Sequence, residues 1–158
     1  MAELTPLEEK LGEVLGLAQA AQDATKRVSG MEDADDFDEQ LERMRAEAEE
    51  TERRTDGLVD ALDGKKTAIR EKARETKSEA VDMMKTYLAG EDEALDGFEF
   101  LSMAEAGEIC HWEIVQTMAD ALSLDDVSEL ADWAVEIQRG HVETVRAASL
   151  ELAQHEVG

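Results

Sequence analysis

The sequence predicts an all-α protein: an up-down bundle of four long helices, with one long helical crossover between the second and the third. Three observations predict it. Apolar residues recur at steps of three and four along almost the whole chain, no stretch alternates with the period of a strand, and no Gly/Asn hairpin turn separates the apolar runs. At 158 residues the chain has the length of one domain. That is enough to bury a single core without disulfides or structural zinc, so residues 1–158 are read as one unit.

The first helix, about 4–29, opens on Thr5-Pro6-Leu7-Glu8, a capping box with proline at the first helical position. Leu4, Leu7, Leu11, Val14, Ala18, Ala21 and Val28 then form one apolar stripe down to the stop at Ser29-Gly30. After the acidic turn MEDADD, the positions Phe37, Leu41, Met44, Ala48, Thr51, Leu58 and Leu62 repeat the pattern and predict a second helix over about 35–63. Residues 64–90 hold most of the lysines and space their apolar residues weakly, which predicts one or two shorter helices acting as the crossover. The third helix is predicted over about 91–122. A capping signal at Ser123-Leu-Asp-Asp126 introduces the fourth, over about 125–155, with Leu130, Ala134, Ile137, His141, Val145, Ala148 and Leu152 on one stripe.

Forty acidic residues against sixteen basic ones give a formal net charge of −24. Such a surface repels phosphates and anionic lipid, which disfavours nucleic acid and membrane-surface partners. The regular apolar stripes argue against disorder, and few lysines with many Asp and Glu are similar to proteins adapted to concentrated salt. The single cysteine, Cys110, leaves no internal disulfide and suits a reducing compartment. The N-terminal MAELTPLEEK has neither a basic region nor an apolar core, and no apolar run approaches the ~18 residues of a membrane span, so a cytoplasmic location is expected.

In so acidic a chain, a glutamate carries information only where it falls on an apolar stripe. The stretch EAGEICHWE, residues 105–113, provides such a place. One stripe of the third helix runs Leu101, Ala104, Glu108, His111, Val115, Met118; its neighbour runs Phe98, Leu101, Glu105, Glu108, Trp112, Val115. Glu108 lies on both, and His111 is its i,i+3 partner, a spacing at which a carboxylate and an imidazole can face one ion. His141 occupies a matching height on the fourth helix, with Gln138 three residues earlier. Bundles that hold two hard cations use one Glu from each of two helices and Glu-x-x-His from each of the other two. The single-Glu candidates are Glu47 and Glu50 on the second helix and Glu13 on the first. The expected candidate ligands are therefore Glu108, His111, His141, Glu50, Glu47 and Glu13, with Glu105 as a supporting partner, Glu113 solvated and Cys110 an inert, half-buried thiol.

Together the segments LGLAQAAQDATKRV, EAEETERRTDGLVDAL, the GKK crossover, EAGEICHWEIVQTMADAL and LADWAVEIQRGHVETV resemble the ferritin-like superfamily, most nearly the YciE/YciF-type stress proteins. That resemblance implies a homodimer of four-helix subunits, a di-iron centre, and a role in stress or in iron and oxygen chemistry. It places the family's second-helix acidic motif on Glu47 and Glu50 and its third-helix motif on Glu108 and His111. The fourth helix departs from the pattern, with Ile137-Gln138 where adjacent glutamates are expected.

Two functions are compatible with these residues. One is a protein binding iron or manganese inside the bundle and oxidising ferrous iron with oxygen or peroxide. The other is a non-catalytic, dimeric helical protein whose site is degenerate and metal-free, which Gln138 favours. The charge itself generates a prediction: thermal stability rises between about 0.1 and 2 M salt as self-repulsion is screened. An unfolding midpoint independent of salt would contradict the salt-adapted surface.

Overall fold

The computed structural model describes residues 2–158 and contains five α-helices: α1 (Pro6–Ser29), α2 (Asp38–Asp60), α3 (Lys66–Tyr87), α4 (Ala94–Ala121) and α5 (Asp125–Val157). A short 3₁₀ turn, Asp35–Phe37, precedes α2, so the second helix begins three residues later than its apolar stripe suggests. Among the described residues there is no strand, and no helix is long and apolar enough to cross a membrane.

The local signals act largely as expected. At the start of α1, the Glu8 N–H donates to the Thr5 hydroxyl at 3.2 Å and the Thr5 N–H donates to the Glu8 carboxylate at 2.8 Å. Two backbone donors that the first turn would leave unpaired are thereby satisfied. The α4–α5 turn is an exception. Ser123 takes a left-handed conformation (φ 55°) and gives α5 no side-chain cap. The Ser128 hydroxyl instead donates to Asp120 at 2.7 Å and ties the first turn of α5 to the last turn of α4.

Contacts between helices give their directions. Gln116 bonds Asp132 and Ser102 meets Ser149, so α4 and α5 run antiparallel. Arg54 stacks on Trp133 while Glu47 reaches His141, so α2 and α5 are antiparallel as well. Gly97 lies against Val28 and His111 beside Glu13, which sets α4 antiparallel to α1. The packing thus runs α1 to α2, α2 to α5, α5 to α4 and α4 back to α1. Outside this ring, α3 lies along α1 in the same direction, Gly12 against Lys72 and Gly16 against Thr76. The weakly patterned 64–90 segment is therefore one 22-residue helix plus its connections.

That placement explains a burial pattern which a single stripe does not. On α1, Gly12, Leu15, Gly16, Ala20 and Ala24 are buried in addition to Leu7, Leu11, Val14, Ala18, Ala21 and Val28. The helix faces neighbours on nearly every side, and small residues let α3 approach closely.

The apolar interior divides in two. One cluster joins Val28, Phe37, Leu41, Met44, Phe98, Leu101, Val145 and Leu152; the other joins Leu7, Leu11, Val59, Ile69, Trp112, Val115, Leu130 and Val135. Along α4 the first holds residues up to 101 and the second those from 112; along α5 the order is reversed, as antiparallel packing requires. Buried polar residues fill the layer between them: Glu105, Glu108, Gln138, His141, Thr51 and Thr55.

A Cβ at Gly16 would collide with the Ala73 carbonyl and stand 2.9 Å from the Thr76 Cβ, whereas one at Gly57 meets open space. Gly16→Ala is expected to lower stability by about 1–3 kcal/mol through overpacking. Gly57→Ala should raise it by about 0.5–1 kcal/mol through helix propensity. Urea denaturation of the two variants tests whether α3 packs on α1 as described.

Candidate functional site

The polar layer is built by side chains that project inward at equal height from three helices. On α4 the inward stripe is Phe98, Leu101, Glu105, Glu108, Trp112, Val115 and Ala119; on α5 it is Ala134, Gln138, His141 and Val145. Glu105, Gln138 and His141 are each at most 3% exposed. Glu47 enters from α2 and keeps its side chain about one-third exposed.

His141 is the hub. Its Nε2 lies 3.1 Å from Glu47 Oε1 and its Nδ1 lies 3.6 Å from Glu105 Oε2. The Gln138 amide donates to that same Glu105 oxygen at 2.8 Å. Burial alone would push the His141 pKa down, but the Glu105 and Glu47 carboxylates outweigh it and hold the imidazole above its ordinary value. His141 is therefore clasped by two carboxylates that favour its protonated form, linking α5 to α2 and α4.

Glu108 differs from its neighbour. It is 5% exposed and forms none of the hydrogen bonds that engage Glu105. Burial, and then the nearby Glu105 charge, push its carboxyl well above the ordinary range.

The six candidate ligands do not come together. Glu108, His141 and Glu47 belong to the layer. His111 turns out of it: its side chain is 36% exposed, its Nδ1–H donates to the Gly107 carbonyl at 2.8 Å, and its Nε2 stands 3.9 Å from Glu13. The inward partner of Glu108 on α4 is thus Glu105, one step back, and not His111. Glu13 pairs with Lys10 at 2.8 Å on the flank of α1. Glu50 is held by Arg53 and by Arg54, the latter at 2.8 Å, and those two guanidinium groups lower its carboxyl to about 2. Cys110 is exposed instead of half-buried, and Glu113 is exposed as expected.

Among the described residues, no three His, Cys, Asp or Glu side chains are arranged to hold a metal ion. The donor chemistry agrees. Both nitrogens of His141 face carboxylates, so neither is free to take a cation unless its contact with Glu47 or Glu105 is broken. The Gln138 side chain presents its amide hydrogens, not its oxygen, to Glu105. The residues present do not fit the two-metal centre that the ferritin-like resemblance implies.

Several contributors carry sequence signals that are easy to pass over. Glu105 lies on the Phe98–Leu101–Trp112–Val115 stripe, and Gln138 sits three residues before His141. Glu52, by contrast, lies beside its helix's stripe and accepts from Gln19 at 3.0 Å and from Gln22 at 2.8 Å. This joins α1 to α2 near the same height. No family model, curated protein or solved structure matches this chain.

The two raised pKa values act on stability in the same direction. His141, raised from about 6.5, contributes stability fully below that pH and loses it as pH climbs through the folded-state value. Glu108, raised from about 4.5, begins to lose its contribution above that pH for the same reason: the folded state holds more protons than the unfolded one. The urea midpoint should therefore fall between about pH 6 and pH 9. In His141→Gln the alkaline part of that fall should shrink. An equal slope in both proteins would contradict the clasped imidazolium.

Proposed function

We propose that this chain is a non-catalytic protein of ferritin-like fold in which an imidazolium takes the place of a metal centre. The fold part rests on connectivity. Helices α2 and α4 run in the same direction across the ring, and α3 spans the length between them, which is the arrangement produced by one long crossover in a four-helix bundle. The homodimer implied by the YciE/YciF resemblance belongs to the same proposal.

One observation carries the functional part: the Glu47–His141–Glu105–Gln138 network already uses the donors that an ion would need. A divalent cation would have to displace the His141 proton and break the Gln138 bond to Glu105. It would gain from Gln138 only a neutral oxygen, a poor substitute for a bridging carboxylate. Polar cores of this kind fix which helices pair and at what height, a role compatible with a scaffold or binding protein.

A second function retains support from a different observation. Glu47, Glu105, Glu108 and His141 lie in one layer, and Glu108 has no partner of its own there. Iron or manganese binding, with oxidation of ferrous iron, is the function those carboxylates would serve.

Elemental analysis separates the two. After loading with ferrous iron or manganese and desalting, the protein should retain less than about 0.3 equivalents of metal, since a preformed site binds far more. Retention of about one equivalent or more that is lost in Glu108→Ala would favour the metal-binding function instead.

A further inference from the structure

Glu108 also borders a space outside the polar layer. A cleft of about 360 Å³ opens between α1, α3 and α4, and Glu108, 5% exposed, is the one carboxylate residue among those that line it. Its walls are apolar: Met83, Met84 and Tyr87 come from α3, Phe100 and Met103 from α4, and small residues of α1 leave the room between them. Among the described residues, the only other polar side chain at the cleft, apart from the Tyr87 hydroxyl, is His111, and no lysine or arginine lines it.

The rim is unusual for so acidic a surface. Met83 is 69% exposed, Met103 53% and Tyr87 42%, so three large apolar side chains stand in water around one opening. Exposed apolar clusters rimmed by polar surface mark binding sites, and methionine suits walls that adapt to a guest. The cavity lies at the small end of the range for organic ligands, which fits a molecule of roughly 10–15 non-hydrogen atoms.

We propose that this cleft binds a small lipophilic cation, an alkyl or arylalkyl ammonium, with its apolar body among the methionines and its charge at Glu108. An anion finds no cationic group in the walls and meets a protein of net charge −24. A cation finds a carboxyl that no neighbouring side chain compensates, and an ammonium held beside it would favour the ionised form, the Glu108 proton passing to solvent. Two aromatic rings, Tyr87 and Phe100, also line the cleft, their centres 5.5 Å apart at a tilt of 46°, and such rings attract cations. A second copy of the chain is the weaker occupant, because it would bring an equally charged surface against the rim.

The inference rests on the metal-free reading of the core, because a bound ion would claim Glu108. The test is isothermal titration of the full chain, treated with EDTA, with three ligands of matched shape: 4-phenylbutylammonium, 4-phenylbutanol and 4-phenylbutanoate. Metal content measured on the same sample separates a failure of the metal-free reading from a failure of the amine site.

The ammonium should bind with a Kd below about 1 mM, and about tenfold or more tighter than the alcohol or the carboxylate. Glu108→Gln should abolish that preference while leaving the alcohol unchanged. Met103→Trp, which fills the opening without touching Glu108, should weaken the ammonium as well and keeps the test valid if the first variant folds poorly. Equal binding of the three ligands, an ammonium preference that survives Glu108→Gln, or no binding by metal-free protein would overturn the proposal. So would a homodimer that Met103→Glu dissociates and that binds no ammonium.

Discussion

A histidine buried at the middle of the helices and held between two carboxylates constrains the rest of this structure. His141 is 2% exposed, yet its surroundings favour the protonated ring, so it must keep both carboxylates, Glu47 on α2 and Glu105 on α4. An isolated ion in such a place would cost several kcal/mol or more. Any slip of α5 along either neighbour would uncouple it. The network therefore fixes height as well as pairing, and the two apolar clusters above and below supply the burial that holds the helices together. Gln138 completes the arrangement by satisfying a Glu105 oxygen from the same helix as His141.

The helices themselves were legible in the sequence, because apolar steps of three and four and the Thr5 capping box act locally. The polar layer was legible only in part. Two overlapping stripes on α4 both contain Glu108, and which of them faces inward depends on the partner across the interface. Pairing with α5 selects the stripe through Glu105 and Trp112, leaving His111 to bond its own helix at Gly107. Gln138 reads as a lost ligand in one dimension and is a hydrogen-bond donor in three. Glu50 did carry a local warning, since arginines at i+3 and i+4 are well placed to hold a carboxylate at the surface.

The position of α3 was the least legible feature. Its apolar spacing is weak, and it packs through close backbone approach at Gly12 and Gly16 of α1, which hydrophobic periodicity does not register. Its docking has two consequences. It buries a second face of α1, and it forms one wall of the cleft that reaches Glu108. Glu108 thus belongs both to the polar layer and to the lining of that cleft.

The protonation of His141 in metal-free protein is the central claim, and nitrogen-15 NMR of its imidazole tests it most directly. At about pH 6.5, where an ordinary histidine is half protonated, most His141 rings should carry protons on both nitrogens, and zinc added as a diamagnetic divalent probe should leave them unchanged. A neutral ring with one bare nitrogen, or a zinc-induced shift of that nitrogen, would contradict the account.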